Sequence, residues 1–158
     1  MLLAEERPTL NAPADLHAKN TWCVLMVDDN AEVHTVTRLA LRGYEFQGRT
    51  LEFISAYSGE EGQQVFETRN DIALALVDVV MERDQAGLEL VDYVRHTLDN
   101  HCTRLVVRTG QPGSWSGAKS IEQYEIDDYR EKTDLTIQKL RTLLDCQLGA
   151  YREPTRLH

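Results

Sequence analysis

The chain has 158 residues, of which 42% are hydrophobic, with 9 glycines and 4 prolines. This composition is typical of one globular domain with a single core and excludes disordered and fibrous polymers. The 26 acidic and 17 basic residues give a formal net charge of −9, which repels phosphate backbones and anionic lipids, so neither nucleic acid nor membrane is expected as a direct partner.

The predicted strands are short runs that are mostly apolar. Residues 1–20 lack sustained periodicity and are predicted to form a flexible N-terminal tail, followed by a folded domain over residues 21–152 and a C-terminal tail over 153–158. Runs that are apolar throughout are typical of strands covered on both faces of a parallel sheet. The predicted strands are β1 (Trp22–Val27), β2 (Leu51–Ala56), β3 (Ile72–Val77), β4 (Leu105–Val107) and β5 (Ile126–Arg130).

The segments between the strands have helical periodicity. Asn30 is expected to cap the first helix, whose apolar positions are Val33, Val36 and Ala40 and which ends before Gly43. Ser58 and Glu61 predict a capping box at the start of the second helix. The predicted helices are α1 (31–42), α2 (from Gly59 through Phe66), α3 (Leu88–Leu98), α4 (Ser116–Tyr124) and α5 (Leu135–Leu148).

Strands that alternate with single helices predict an α/β fold with a parallel sheet and right-handed crossovers. At this length the doubly wound, flavodoxin-like (βα)5 sandwich is the economical solution, with the five strands in the order 2-1-3-4-5. This order places β1 beside β3. Ligands of such sheets bind beyond the carboxyl ends of the strands, where the winding direction reverses, so the residues that follow β1 and β3 are the first candidates for a site.

Three carboxylates are predicted to meet at that point. Asp28 and Asp29 follow β1, and Asp78 follows β3. Like charges within about 4–6 Å of one another disfavour the ionised forms, and a hard divalent cation removes this cost. Mg2+ suits such a site because it takes about six oxygen ligands and retains several waters. Thr109 after β4 and Lys132 after β5 add a hydroxyl and an ammonium to the same edge, a set that suits phosphoryl transfer.

These residues resemble the receiver domains of two-component response regulators. The resemblance covers about residues 21–152, and its motifs agree in order, spacing and position at strand ends. The motifs are Val27-Asp28-Asp29 after an apolar strand, Asp78 with Met81 three residues later, Thr109-Gly110, and Tyr129 three residues before Lys132. The segments around Thr109 and Lys132 also look like receivers found upstream of HD-GYP cyclic-di-GMP phosphodiesterases.

The resemblance implies a role for each of these residues. Asp78 would accept a phosphoryl group, and Asp28, Asp29, Asp78 and the backbone carbonyl of Val80 would hold Mg2+. Thr109 and Lys132 would bind the phosphoryl oxygens, and Tyr129 would turn inward when Thr109 moves. Val80 and Gln111 occupy the positions that tune dephosphorylation in the family. Because a valine side chain cannot orient water, we expect slow self-dephosphorylation.

The resemblance also implies partners. The donor would be a sensor histidine kinase or a histidine phosphotransfer protein, and the chain would not be an enzyme acting on other substrates. The face made by α4, β5 and α5 would control an output domain, a partner protein or a second copy of the chain in a homodimer. Thr133 follows Lys132 where many receivers have proline, so the usual cis peptide bond is not expected there.

Two other classes of function compete with this interpretation. A receiver-like interaction module would not use its aspartate, and an Mg2+-dependent phosphohydrolase with an aspartate nucleophile would need a second aspartate where Val80 stands. The sequence predicts no secretory signal and no membrane span, and its 3 cysteines suggest neither a disulfide framework nor a zinc site. A cytoplasmic protein is expected.

Overall fold

The computed structural model describes residues 21–81, 85–110, 123–132 and 135–153. Their five strands form one parallel sheet in the order β2-β1-β3-β4-β5, which confirms the predicted topology. In these ranges no helix has the length and the apolar character that crossing a membrane requires. The strands are β1 (Thr21–Val27), β2 (Thr50–Ala56), β3 (Ile72–Asp78), β4 (Arg104–Thr109) and β5 (Asp128–Glu131).

Helices cover both faces of the sheet. The predicted N-terminal tail, residues 116–122 of the predicted α4 and residues 154–158 lie outside the described residues, and the name α5 is kept for the last helix. The observed helices are α1 (Ala31–Ala40), α2 (Gly59–Thr68), α3 (Ala86–Asp92, continued by a π-helical turn at Tyr93–Thr97) and α5 (Ile137–Ala150).

Strand alternation divides the core into two apolar layers. Successive side chains of a strand point to opposite faces, so each strand supplies both layers. Val24, Leu76 and Val106 pack with Leu144 of α5 on one face, where the end of α1 also lies. Leu25, Val77 and Val107 pack on the other face with residues of α2 and α3. The central strands β1, β3 and β4 are buried on both faces, so a ligand can reach them at the strand ends, and the carboxyl ends are where sheets of this class bind ligands.

The buried face of α1 includes Ala40 as predicted but differs from the prediction at Val36. His34, Thr37 and Ala40 are buried, whereas Val36 is 56% exposed. The reason is that the polar side chains find partners on the sheet. His34 Nε2 lies 2.7 Å from the carbonyl oxygen of Asp28, which can only accept, so Nε2 carries the proton. His34 Nδ1 lies 2.9 Å from Ser55 Oγ. Hydrogen bonding, not hydrophobicity, therefore selects the face that α1 buries.

The predicted N-caps are present, but the predicted capping box forms only in part, because Glu61 Oε1 accepts from the N–H of Tyr57 and not from that of Ser58. Other boundaries shift by a few residues. Asn30 Oδ1 accepts from the backbone N–H of Glu32, and Ser58 Oγ accepts from that of Glu61. β5 begins at Asp128, two residues later than predicted. α5 begins at Ile137, also two residues later than predicted, because Thr136 caps it. α3 does not continue as a regular helix to Leu98, whose N–H bonds the carbonyl of Tyr93 five residues earlier.

Candidate functional site

The switch point of the sheet brings three carboxylates together. Val27 and Val77 are register partners in β1 and β3, so Asp28 and Asp78 lie side by side at the strand ends. Asp28, Asp29 and Asp78 each offer an oxygen, and these oxygens all lie within 4.8 Å of one another. The side chains of Asp28 and Asp78 are buried, and Asp29 is exposed. The acidic cluster consists of these three residues and opens to solvent through Asp29.

Lys132 neutralises part of the acidic cluster. It follows the last residue of β5, and its Nζ lies 3.0 Å from Asp28 Oδ2 and 3.2 Å from Asp78 Oδ2. Burial lowers the pKa of Lys132, but the hydrogen bonds and charges of the two aspartates outweigh burial and raise this pKa overall. Lys132 is therefore a permanent cation between the two buried carboxylates.

The surroundings of Asp78 strongly affect its protonation. Burial, followed by the negative charge of Asp28, raises the pKa of Asp78 to about 6, although Lys132 acts in the opposite direction. The ionised form of Asp78 is thus costly in the absence of further positive charge. A group that brings positive charge to the acidic cluster would be bound with a gain in stability.

The other predicted site residues that the structure describes lie in or just after three strands of the sheet: Val80 after β3, Thr109 in β4 and Tyr129 in β5. Thr109 is the last residue of β4, is buried, and pairs in register with Glu131, so it lies at the same edge as Lys132. Tyr129 is half-buried in β5 and packs against the apolar layer on the face of α2 and α3, as Val80 also does. Gln111 and Thr133 lie outside the described residues.

The donor set fits a magnesium ion. Three carboxylates supply hard oxygen ligands in one place, and the partial exposure of the acidic cluster leaves room for waters. Histidine and thiol ligands, which softer metals prefer, are not part of the cluster. The residues present therefore match the magnesium that the sequence predicts at this edge.

Sequence reasoning missed two residues that border the acidic cluster. Arg108 in β4 is buried and pairs in register with Asp78, and an arginine inside the apolar run before Thr109 was the available signal. Gly87, at the start of α3, lies so close to the end of β3 that a Cβ atom there would be 1.9 Å from the carbonyl oxygen of Asp78. No local sequence pattern predicts the contact of Gly87 with Asp78, because it joins the start of α3 to the end of β3.

A curated protein of known activity is similar in sequence to this chain. No protein-family model matches the chain. The 3'3'-cGAMP-specific phosphodiesterase 2 of Vibrio cholerae is 57% identical over 138 residues, a match that covers 87% of this chain and 26% of that protein. The chain therefore spans about a quarter of the length of this curated relative.

Solved structures show the same architecture. The receiver domain of an HD domain-containing protein from Pseudomonas fluorescens superimposes with a TM-score of 0.67 at 21% identity, over 89% of this chain and 93% of that one. The receiver domain of a Francisella response regulator gives a TM-score of 0.66 at 17% identity, over 80% of this chain and 96% of that one. The chain therefore has the flavodoxin-like fold of response regulator receiver domains.

Proposed function

We propose that the chain is a phosphorylation-dependent signal receiver in which Asp78 accepts a phosphoryl group from a phosphohistidine. The observation that carries this proposal is the contact of Asp78 with a second buried carboxylate, Asp28, and with the Lys132 ammonium at the switch point of the sheet. The donor is a sensor histidine kinase or a histidine phosphotransfer protein, in keeping with the role of receiver domains in two-component signalling.

The proposed reaction uses Asp78 as the nucleophile. One of its carboxylate oxygens forms a bond to phosphorus as the bond from phosphorus to the donor's imidazole nitrogen breaks, giving an aspartyl phosphate and a free histidine. Phosphoryl transfer needs chiefly positioning and charge stabilisation. Lys132 supplies the cation and Thr109 the hydroxyl that bind phosphoryl oxygens, since both lie at the sheet edge beside Asp78. Because they bind the phosphoryl oxygens, these two side chains also change their contacts when Asp78 is phosphorylated.

Magnesium is the proposed cofactor. Asp28, Asp29, Asp78 and the backbone carbonyl of Val80 are the groups that would hold it. The ion supplies positive charge against the phosphoryl oxygens. Lys132 pairs with both Asp28 and Asp78, yet burial and the charge of Asp28 still raise the pKa of Asp78 to about 6, a cost that the ion would offset.

The proposed output is the face made by α4, β5 and α5. A phosphoryl group adds about −1.5 to −2 charge, which draws Thr109 toward Asp78, and Tyr129 then turns inward and repacks this face. β5 is the edge strand of the sheet and its residues are half-buried, so a partner can contact it. The face would contact an output domain, a separate protein or a second copy in a homodimer. Similarity to the Vibrio cholerae phosphodiesterase favours a cyclic-dinucleotide phosphodiesterase as the output of this cytoplasmic signalling unit.

Phosphorylation by a small donor tests the proposed function directly. After incubation with acetyl phosphate and Mg2+, intact mass is expected to show one acid-stable, base-labile phosphoryl group on the wild type and none on Asp78→Asn. Asp99→Asn is the matched control, because Asp99 has a side chain that is 87% exposed and should leave the gain unchanged. An unmodified wild type would favour an interaction module, and steady hydrolysis of a phosphomonoester would favour a phosphohydrolase.

The lifetime of the phosphorylated state tests the proposed role of Val80. Its apolar side chain packs against the core and offers no group to orient the attacking water. Val80→Glu and Val80→Asn are expected to speed the decay of phosphorylated protein by about tenfold, equivalent to about 1.4 kcal/mol in the barrier. Val36→Asn on the exposed face of α1 is the control. Equal decay rates in wild type and both Val80 variants would contradict this role; Gln111 is proposed as the second tuning residue.

A further inference from the structure

An arginine lies inside the sheet beside the acidic cluster. β4 reads Arg104-Leu105-Val106-Val107-Arg108-Thr109, and Arg108 is the register partner of Asp78 in the neighbouring strand. Register partners in a parallel sheet point to the same face. Arg108 therefore shares with Asp78 the face that α1 and α5 cover, and only 4% of its surface is exposed.

The contacts of Arg108 do not account for its burial. Nη1 donates to Thr37 Oγ1 of α1 at 3.0 Å, whereas Nε and Nη2 are buried and have no hydrogen-bond partner among the described residues. Arg95, which is buried to the same extent, donates to the carbonyls of Asn100, Thr103 and Glu125 and to the carboxylate of Asp127. The hydrogen bonds of Arg95 thus explain its burial as a structural residue, whereas the hydrogen bond of Arg108 does not explain its burial.

The charges that face Arg108 belong to the acidic cluster. Burial lowers the pKa of Arg108, and the negative charges of Asp28 and Asp78 oppose that effect. Lys132, which bonds both aspartates, lines the same cavity of about 290 Å³ between α1 and α5 as Arg108 does. The acidic cluster therefore has one cation at its open side and a second one within the protein.

We propose that Arg108 is a positioning residue that sets the charge balance of the phosphoryl site, an inference that rests on the proposed function. The three carboxylates and Lys132 alone carry a formal charge of −2, and Arg108 brings the total to −1. On phosphorylation Asp78 loses its own charge of −1 and carries a phosphoryl group of about −2, so with Mg2+ bound the total becomes neutral only because Arg108 is present. Arg108 thereby weakens Mg2+ binding in the unphosphorylated state and stabilises the phosphorylated state.

Two affinities should consequently change in opposite directions when the charge is removed. Arg108→Met is expected to bind Mg2+ about tenfold more tightly than the wild type, because a buried positive charge no longer repels the ion. With Mg2+ saturating, the same variant should bind beryllofluoride, an anionic phosphoryl analogue, about tenfold more weakly. Isothermal titration calorimetry measures both affinities on the full chain.

Three further variants separate charge from structure. Arg108→Lys keeps the charge and should restore both affinities to within about twofold of the wild type. Thr37→Val removes the one hydrogen bond of Nη1 and leaves the charge, so it should also stay within about twofold. Arg108→Gln is neutral but polar and provides the charge test again if the methionine variant does not fold.

The outcomes distinguish this inference from the proposed function. Neutral variants that lose both affinities together would assign Arg108 a purely structural role, and neutral variants that match the wild type would show that its charge does not act on the site. Either result overturns the inference while leaving the receiver function intact. A wild type that binds neither Mg2+ nor beryllofluoride would instead contradict the proposed function.

Discussion

Gly87→Ala is expected to lower the free energy of unfolding by about 3 kcal/mol or more. A Cβ atom at this position would lie 1.9 Å from the carbonyl oxygen of Asp78, 2.8 Å from its carbonyl carbon and 2.9 Å from the Cα of Val79. All three are backbone atoms, so no side-chain rotation relieves the overlap. The N–H of Gly87 also donates to the carbonyl of Val79 at 3.0 Å, which ties the start of α3 to the end of β3.

Gly62→Ala is the matched control for this substitution. Gly62 also lies in the first turn of a helix, but its added Cβ would meet Leu90 Cδ2 at 2.8 Å, the end of a flexible side chain. Alanine is preferred over glycine within a helix by about 1 kcal/mol, so the control should remain within about 1 kcal/mol of the wild type. Urea denaturation followed by circular dichroism measures both variants.

Comparing Gly87→Ala with Gly62→Ala separates the effect of steric overlap on stability from the effect of helix propensity. Gly87 has no left-handed φ, so a loss of stability there reflects space and not backbone conformation. A folded Gly87→Ala protein should also have an altered acidic cluster, because the carbonyl that the new Cβ displaces belongs to Asp78 itself. Equal stability of the two alanine variants would show that the chain can separate α3 from β3 at little cost.

The order of the strands and the meeting of the three aspartates were predictable because both depend on local patterns. Apolar runs such as Ile72–Asp78 are buried on both faces, and single helices between them permit only parallel crossovers. The caps at Asn30 and Ser58 were predictable for the same reason, since each bonds a backbone N–H two or three residues away. Once the strand order was given, the strand-end aspartates had to meet.

The rest depended on partners far away in the sequence. His34 and Thr37 look like residues of an exposed helix face until Asp28, Ser55 and Arg108 are placed beside them. Hydrophobic periodicity on α1 predicts that Val36 is buried, but these hydrogen bonds place His34 and Thr37 against the sheet and leave Val36 exposed. Helical periodicity likewise does not reveal the π-helical turn in α3, whose register is defined by the bond from Leu98 to Tyr93.

Asp78 is expected to make the folded chain less stable as the pH rises, whereas most aspartates have the opposite effect. Burial and the charge of Asp28 raise the pKa of Asp78 from 3.8 to about 6 in the folded chain. Between these values the folded state holds more protons than the unfolded state, so stability falls as the pH rises through this window. Above the folded-state pKa, Asp78 is ionised in both states and the loss in the free energy of unfolding reaches its full value. Without Mg2+ this loss is about 3 kcal/mol at most.

Asp78→Asn should therefore stabilise the metal-free chain at neutral pH. Because the amide also gives up the ion pair with Lys132, we expect a net gain of about 1–2 kcal/mol at pH 7.5 in EDTA. The gain should shrink toward pH 4, where the wild-type carboxyl becomes protonated as well. Urea denaturation across this pH range measures the difference, and Mg2+ should stabilise the wild type more than the variant because the variant lacks one ligand.

Asp71→Asn is the control with the opposite sign. The hydrogen bond from Arg69 holds the pKa of Asp71 below its usual value, so Asp71 contributes stability at neutral pH that is lost as the pH falls through its folded-state pKa. Its substitution should destabilise slightly at pH 7.5, since the pair is partly exposed. If Asp78→Asn instead destabilised the metal-free chain at every pH, the ion pair with Lys132 would outweigh burial, and the acidic cluster would be stable without a metal.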